Sequence, residues 1–138
     1  MAVVKSFSVG EGDMFYIKHS SDNFTMIDCC LVGDKCTLSE KEKLAILKEL
    51  KEINGEKGVN RFISTHPDED HIGGLEIIDR TIGILNFYCT ENDAWKPSPS
   101  DSFNYYKKIR DSKRCSFLWL GMRRNWLNDG NLNDEDDH

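Results

Sequence analysis

Two histidines and three acidic residues fall within six consecutive positions of the segment THPDEDHIGG, residues 65–74. His66, Asp68, Asp70 and His71 offer imidazole nitrogens and carboxylate oxygens, the ligands that Zn²⁺, Mn²⁺ and Fe²⁺ take in proteins. Carboxylates crowded in this way repel each other unless a cation neutralises them. The alternative is a solvated acidic turn that caps the following helix. The pattern HxDxDH directly after an apolar strand favours a metal site.

The segments on both sides of this motif are typical of a strand and a helix. Apolar and β-prone residues at 59–65 lead into it, and LEIID at 75–79 leads out. In α/β sheets, ligands bind outside the carboxyl ends of strands, and the motif lies at such an end. A loop there can turn its side chains toward one point, whereas a helix brings together only positions i, i+3 and i+4. We therefore expect the four side chains to converge.

The rest of the chain predicts an α/β domain, or α+β in some classifications. Three short strands separated by tight turns predict an antiparallel meander. A helix between two later strands, around Ile63 and Ile84, predicts that these strands are parallel. In chain order, the predicted elements are strands at 3–9, 14–19 and 23–30, a helix at 37–55, a strand at 58–65, a helix at 73–81, a strand at 82–90, a helix at 101–113 and a strand at 115–120.

Two of the predicted helices carry recognisable start signals. Ser39 followed by Glu42 forms a capping-box pattern, and Gly55 is a stop signal. The last helix is predicted to start at Asp101 or Ser102. The first helix also has an apolar stripe at helical spacing, made of Leu44, Ile46, Leu47, Leu50 and Ile53.

The composition is that of a globular protein. The 138 residues, 38% hydrophobic and 30% charged, are enough for one domain with a core. The formal charge of −6 gives no reason to expect nucleic acid as a bulk electrostatic partner. No apolar run approaches the roughly 18 residues of a membrane helix, and the N-terminus lacks a signal-peptide pattern, so we expect no membrane partner. Five cysteines without a CxxC pair indicate reduced thiols in a cytoplasmic protein.

The motif from His66 to Gly74 resembles the metal-binding motif of the metallo-β-lactamase fold superfamily. The usual superfamily form is HxHxDH, and Asp68 stands here at the third position. This HxDxDH variant is similar to the domain of the DNA-uptake protein ComEC and its soluble relatives. The stretch SFSVGEGD at 6–13 and the stretch MID at 26–28 resemble the opening of the same subgroup. Together these matches span roughly residues 3 to 85.

The resemblance implies roles for individual residues. His66 and Asp68 would serve one metal ion, and Asp70 and His71 a second; the ions would be one or two Zn²⁺, with Mn²⁺ as the alternative. Asp70 would also be the catalytic residue that orients the attacking water. Asp28 matches an acidic position near the metal loop and would support the ligands from behind. The metal lowers the pKa of its water, which becomes the nucleophile.

The resemblance also implies that the chain holds the N-terminal half of the family's αββα sandwich. Residues 1–124 would form an incomplete domain, and 125–138 a polar acidic tail or loop. After Asp79, no residue matches the metal ligands that the family carries in the second half of its domain. The chain could be a fragment, another chain or a second copy could complete the site, or the site could be degenerate. A protein partner or a homodimer is therefore expected.

A basic stretch with interleaved aromatic residues bears on the substrate. It runs from 105 to 124 and could bind a phosphate backbone and stack bases. The alternative is an exposed helix face with buried aromatic residues. The predicted nucleic-acid contacts are Lys107, Lys108, Arg110, Lys113, Arg114, Arg123 and Arg124, with Lys107, Arg110 and Arg114 on one helix face.

Three functions remain open from the sequence. The first is a metal-dependent hydrolase of phosphodiesters, similar to a nuclease. The second is a hydrolase of another ester, a thioester or an amide. The third is a non-catalytic subunit that uses the fold as a scaffold in a larger assembly. Fold alone does not decide among them.

Overall fold

A computed structural model describes residues 1–21 and 23–122 of the chain. The predicted tail at 125–138 and the predicted contacts Arg123 and Arg124 lie outside these residues. Within the described ranges, no helix has both the length and the apolar character needed to cross a membrane. The elements are β1 Val3–Ser6, β2 Phe15–Lys18, β3 Phe24–Ile27, β4 Cys29–Cys30, α1 Glu40–Ile53, β5 Arg61–Ile63, α2 Glu69–Ile72, α3 Leu75–Thr81, β6 Phe87–Thr90, α4 Asp101–Arg110 and β7 Cys115–Leu118.

Six of these strands form one mixed sheet in the order β1-β2-β3-β5-β6-β7. The pairs β1–β2 and β2–β3 are antiparallel, which confirms the predicted meander. The pairs β3–β5, β5–β6 and β6–β7 are parallel. The architecture is therefore mixed α/β, as predicted. The predicted strand at 82–90 is too long at its start, because Ile84 makes only an isolated bridge to Val59 and β6 begins at Phe87.

The connections between the parallel strands place their helices on one face of the sheet. From β3 to β7 the chain advances in one direction across the sheet, and each step passes through a helical segment. Right-handed crossovers that advance in one direction put every connecting helix on the same side. Direct contacts agree, because Glu49 of α1 bonds Lys5 and Tyr16, and the Tyr106 ring of α4 packs on Phe87.

The main core lies between this sheet face and the helices. Tyr16, Met26, Phe62 and Phe87 are opposite one another across four strands and are all buried. The other face carries apolar side chains that are partly or well exposed and do not belong to the core cluster of the described residues. These are Val4, Phe15, Ile17, Ile27, Ile63 and Leu118. The sheet is thus packed by helices on one side. Its second side carries these partly open apolar residues together with Thr25, Arg61 and Tyr88, of which Thr25 and Tyr88 are buried.

The three predicted helices all form, with two corrections to their details. Helix α1 has the predicted capping box at Ser39, but the apolar stripe is narrower than predicted, because Leu44 is 67% exposed. Helix α4 begins at Asp101, as predicted, with the Ser100 side chain as its cap. It ends at Arg110 rather than at 113, because the following residues turn into β7.

The predicted strand at 23–30 is divided in two. Asp28 separates β3 from β4 and has φ of 57°, the left-handed region that few residues other than glycine adopt. The bend directs β4 away from the sheet and against the metal-motif segment, where Cys29 and Cys30 bridge Ile72 and Gly73. The break therefore brings the end of β3 to the predicted metal site.

Candidate metal centre

The metal motif begins where β5 ends, at the carboxyl edge of the sheet. Its second half is helical and not a loop, because Asp68 caps the one-turn helix α2. The Asp68 carbonyl accepts hydrogen bonds from the amides of His71 at 2.8 Å and Ile72 at 3.0 Å. Asp70 and His71 therefore lie on a short helical turn, and His66 lies on the extended segment before it.

Three of the four predicted ligands converge. One potential ligand atom from each of His66, Asp70 and His71 lies within 4.8 Å of the other two. The His71 Nε2 is 3.3 Å from an Asp70 carboxylate oxygen, and the two imidazole ring centres are 3.7 Å apart. His71 is buried, Asp70 is partly exposed and His66 is exposed, so the group opens to solvent on one side. Two imidazoles and one carboxylate with an open side match a catalytic metal site with three protein ligands.

The fourth predicted ligand, Asp68, lies beside this group. One of its carboxylate oxygens is 3.7 Å from the His66 Nε2, and its side chain is 65% exposed. Its backbone is occupied as the cap of α2. The carboxylate thus neighbours one imidazole and does not belong to the group of three.

Asp28 supports the site from inside the protein. This residue is 2% exposed, and its carboxylate accepts three hydrogen bonds. One oxygen accepts from the Thr65 amide at 2.8 Å, and the other accepts from the Thr65 hydroxyl at 2.5 Å and from the His71 Nδ1 at 2.9 Å. A buried carboxylate with three donors is held in one orientation, and it fixes both chain segments that carry the histidines.

The same hydrogen bonds determine which nitrogen of each histidine is available. Asp28 only accepts, so the His71 Nδ1 carries the proton and its Nε2 keeps the lone pair. The Thr65 hydroxyl uses its single proton toward Asp28, so it accepts from the His66 Nδ1 at 3.1 Å. In the neutral imidazoles, the Nε2 of both histidines therefore keeps its lone pair, which is the state a metal requires.

The GEGD turn at residues 10–13 packs directly against the motif. The Asp13 amide donates to the Asp70 carbonyl at 3.1 Å, and an Asp13 carboxylate oxygen is 3.8 Å from the His71 Nδ1. A side chain at Gly12 would meet the Asp70 carbonyl oxygen at 2.3 Å, so only glycine allows this approach. The family resemblance included this turn but assigned it no role. Thr65 was missed because only the fold places it between Asp28 and His66.

The predicted nucleic-acid surface is only partly available. Arg114 forms a forked pair with Asp79, at 2.8 Å on both nitrogens, and also donates to the Ile84 carbonyl. Since α4 ends at Arg110, Arg114 is not on its face, and the predicted i, i+3, i+7 arrangement is wrong. Arg110 itself pairs with Asp111.

The remaining basic residues of α4 lie far from the metal motif along the helix. Lys107 and Lys108 are in its last turn and lie over aromatic rings of the same helix. The contacts to the motif come from its other end, where the Ser100 hydroxyl donates to Glu69 and the Ser102 hydroxyl accepts from the Gly74 amide. At 1.5 Å per residue, Lys107 and Lys108 lie about 10 Å along the helix axis from the two serines that contact the motif.

No family model matches the sequence, and no curated protein matches it.

Proposed function

We propose that this chain binds a divalent transition metal through His66, Asp70 and His71 and acts as a metal-dependent hydrolase. The observation that supports the proposal is the convergence of these three ligand atoms within 4.8 Å at the carboxyl edge of the sheet. We also propose that the fold is the N-terminal half of a metallo-β-lactamase domain. The mixed sheet and the position of the motif after β5 are compatible with that assignment.

The donor set suits Zn²⁺, with Mn²⁺ as the alternative. When bound, the metal supplies Lewis acidity and a water activated for attack. His66 and His71 would bind through Nε2, since the Nδ1 of each has a hydrogen-bond partner, and Asp70 would provide the carboxylate. The second oxygen of Asp70 would orient the water proton. Asp28 holds the Nδ1 proton of His71 and keeps the ring in place. The resemblance divided the ligands into His66 with Asp68 and Asp70 with His71. Because His66 lies with Asp70 and His71, we propose Asp68 as the ligand left for a second ion.

The substrate class in this proposal is a phosphodiester, and another ester, a thioester or an amide is the alternative. The phosphodiester assignment is based on the HxDxDH resemblance. The basic stretch adds less to it than the sequence suggested, since Arg110 and Arg114 are paired with carboxylates. Of the predicted contacts within the described residues, Lys107, Lys108 and Lys113 remain as candidate phosphate ligands.

The test compares Asp70→Asn with Glu69→Gln, a neighbouring change of the same kind. Glu69 contacts Ser100 and Lys96 and does not belong to the three-ligand group. Each variant is assayed with added Zn²⁺ or Mn²⁺ against four substrates: bis(4-nitrophenyl) phosphate, single-stranded DNA, a 4-nitrophenyl ester and a thioester. We expect Asp70→Asn to remove nearly all turnover and Glu69→Gln to keep most of it. Equal turnover in both variants, or metal-independent turnover, would refute the mechanism.

A second candidate function, a subunit of a larger assembly, is favoured by the open apolar side of the sheet. Ile17 and Ile27 lie on that side and outside the core cluster of the described residues. We propose that a protein partner or a second copy of the chain covers it. Light scattering tests self-association: Ile17→Lys should weaken it, and Leu44→Lys, at an exposed helix position, should not. If the chain stays monomeric at high concentration, a second copy is excluded, and a different protein is the remaining candidate to cover this side of the sheet.

A further inference from the structure

Two cysteines lie side by side at the edge of the sheet, away from the metal motif in sequence. Cys89 is in β6, and Cys115 is the first residue of β7. The register pairs Phe87 with Cys115 and Cys89 with Phe117, so both thiols are on the helix-covered face, diagonally across adjacent strands. The two sulfur atoms are 3.7 Å apart. All five cysteines of the chain are free thiols in the structure.

The surroundings of this pair favour a thiolate. The Cys115 thiol donates toward Cys89 and lowers its pKa to about 7, burial opposes this, and the Tyr106 hydroxyl and the Arg110 guanidinium add to the lowering. At Cys30, by contrast, burial prevails and raises the pKa to about 11. The contact with Cys89 raises the pKa of Cys115, so loss of the first proton leaves the negative charge on Cys89 and the Cys115 proton between the two sulfurs.

Access to the pair differs between its members. Cys89 is buried, whereas Cys115 is partly exposed on the edge strand. A reagent in solution therefore meets Cys115 first, and Cys89 lies directly behind it. This order is that of an attacking thiol with a resolving thiol in contact.

We propose that Cys89 and Cys115 form a reversible disulfide by exchange with a small-molecule disulfide of the glutathione class. As the partly exposed Cys115 sulfur attacks one sulfur of the oxidant, its proton passes to the Cys89 thiolate in contact with it. The S–S bond of the oxidant breaks, and one half leaves as a small thiol after taking up a proton from water. Cys89 then attacks the Cys115 sulfur of the mixed disulfide and releases the second small thiol. The protein loses two protons and two electrons, and the oxidant takes them up as two thiols.

The bond would fasten the edge strand to the sheet. Among the described strands, β7 is hydrogen-bonded only to β6, and the segment between the two cysteines contains α4. Closing this segment of about 26 residues restricts the unfolded chain, and for a domain of this size the melting temperature should rise on the order of 10 °C. The site is independent of metal binding and of the proposed hydrolase activity.

The purified 138-residue chain is equilibrated with mixtures of oxidised and reduced glutathione. The thiol state is then fixed by acid quench and alkylation and read by peptide mass spectrometry. The expected product is a Cys89–Cys115 cross-link two hydrogens lighter, with no glutathione retained and a higher melting temperature. Cys36→Ser, at a partly exposed cysteine outside the pair, should keep the cross-link.

Cys115→Ser should abolish both the cross-link and the rise in melting temperature. Cys89→Ala provides a second check, because it should leave a glutathione adduct trapped on Cys115. Three results would overturn the proposal: a Cys30–Cys36 cross-link in place of the expected one, unresolved glutathione on Cys115 in the wild type, or reduced thiols at the most oxidising ratio.

Discussion

Replacing Asp28 by Asn tests whether the buried carboxylate organises the metal site. The substitution keeps the size of the side chain, and asparagine also tolerates the left-handed backbone found at this position. What changes is hydrogen bonding. Asp28 accepts from the Thr65 amide, the Thr65 hydroxyl and the His71 Nδ1, and an amide group has only one oxygen to accept with.

The magnitude follows from the two possible orientations of the new amide. With its oxygen toward the Thr65 hydroxyl and His71, its NH₂ group faces the Thr65 N–H, and one buried donor loses its partner. In the other orientation, two donors lose theirs. The first arrangement costs less, about 1–3 kcal/mol for the unpaired donor, and it keeps His71 in place without the negative charge. Loss of such support typically weakens metal binding about 10- to 100-fold, so we expect roughly 10-fold for Asp28→Asn and roughly 100-fold for Asp28→Ala.

The assay is titration with Co²⁺, since its absorption distinguishes nitrogen and oxygen ligands from thiolates and so reports binding at the five cysteines separately. Circular dichroism shows that each variant is folded at the temperature of the titration. Asp93→Asn, the same change at an exposed carboxylate, is the matched control and should bind like the wild type. Wild-type affinity in folded Asp28→Asn protein would refute the role given to this residue, and thiolate absorption in the wild type would refute the ligand set.

Three further predictions concern stability. Leu50→Ala should cost about 2–5 kcal/mol in urea denaturation because Leu50 is fully buried, and Leu44→Ala should cost under about 0.5 kcal/mol because that side chain is exposed. Burial raises the pKa of Asp79, but hydrogen bonds from the Arg114 and Tyr105 side chains outweigh it, so the pKa is lowered in the folded chain. The ionised Asp79 carboxylate therefore stabilises the fold above the unfolded carboxyl pKa of about 3.9. This contribution decreases as the pH falls below that value. Asp79→Asn should reduce that acid dependence, and an unchanged pH profile would contradict it. Gly12→Ala should destabilise the fold and weaken metal binding together, since its methyl group would lie 2.3 Å from the Asp70 carbonyl oxygen, and thermal melting with and without metal measures both effects.

Features that depend on neighbouring residues could be predicted from the sequence. The capping box joins Ser39 to a residue three positions away, so a short window contains it. The same holds for the turns of the meander and for a ligand motif at the end of a strand. The convergence of His66, Asp70 and His71 could be predicted because these residues are close in sequence as well as in space.

Features that join distant residues could not be predicted in this way. Asp28 and His71 are 43 positions apart, and alternation of apolar residues does not indicate which strand ends meet. Only the family resemblance indicated that Asp28 would lie near the motif. The pairing of Arg114 with Asp79 removed a predicted phosphate contact for the same reason, since a cation in a basic stretch looks available until its partner across 35 positions is known. The break at Asp28 was missed because β-prone residues continue on both sides of it.

The backbone at Asp28 has a consequence for how this sequence could change over generations. At φ of 57° a glycine would relieve backbone strain, but it would also leave the three donors that bond Asp28 without their acceptor. Loss of an acceptor costs more than the strain, so glycine can enter at this position only if Thr65 and His71 change as well. We therefore expect positions 28, 65 and 71 to change together in related sequences, and glycine at position 28 to mark lineages that have lost the site.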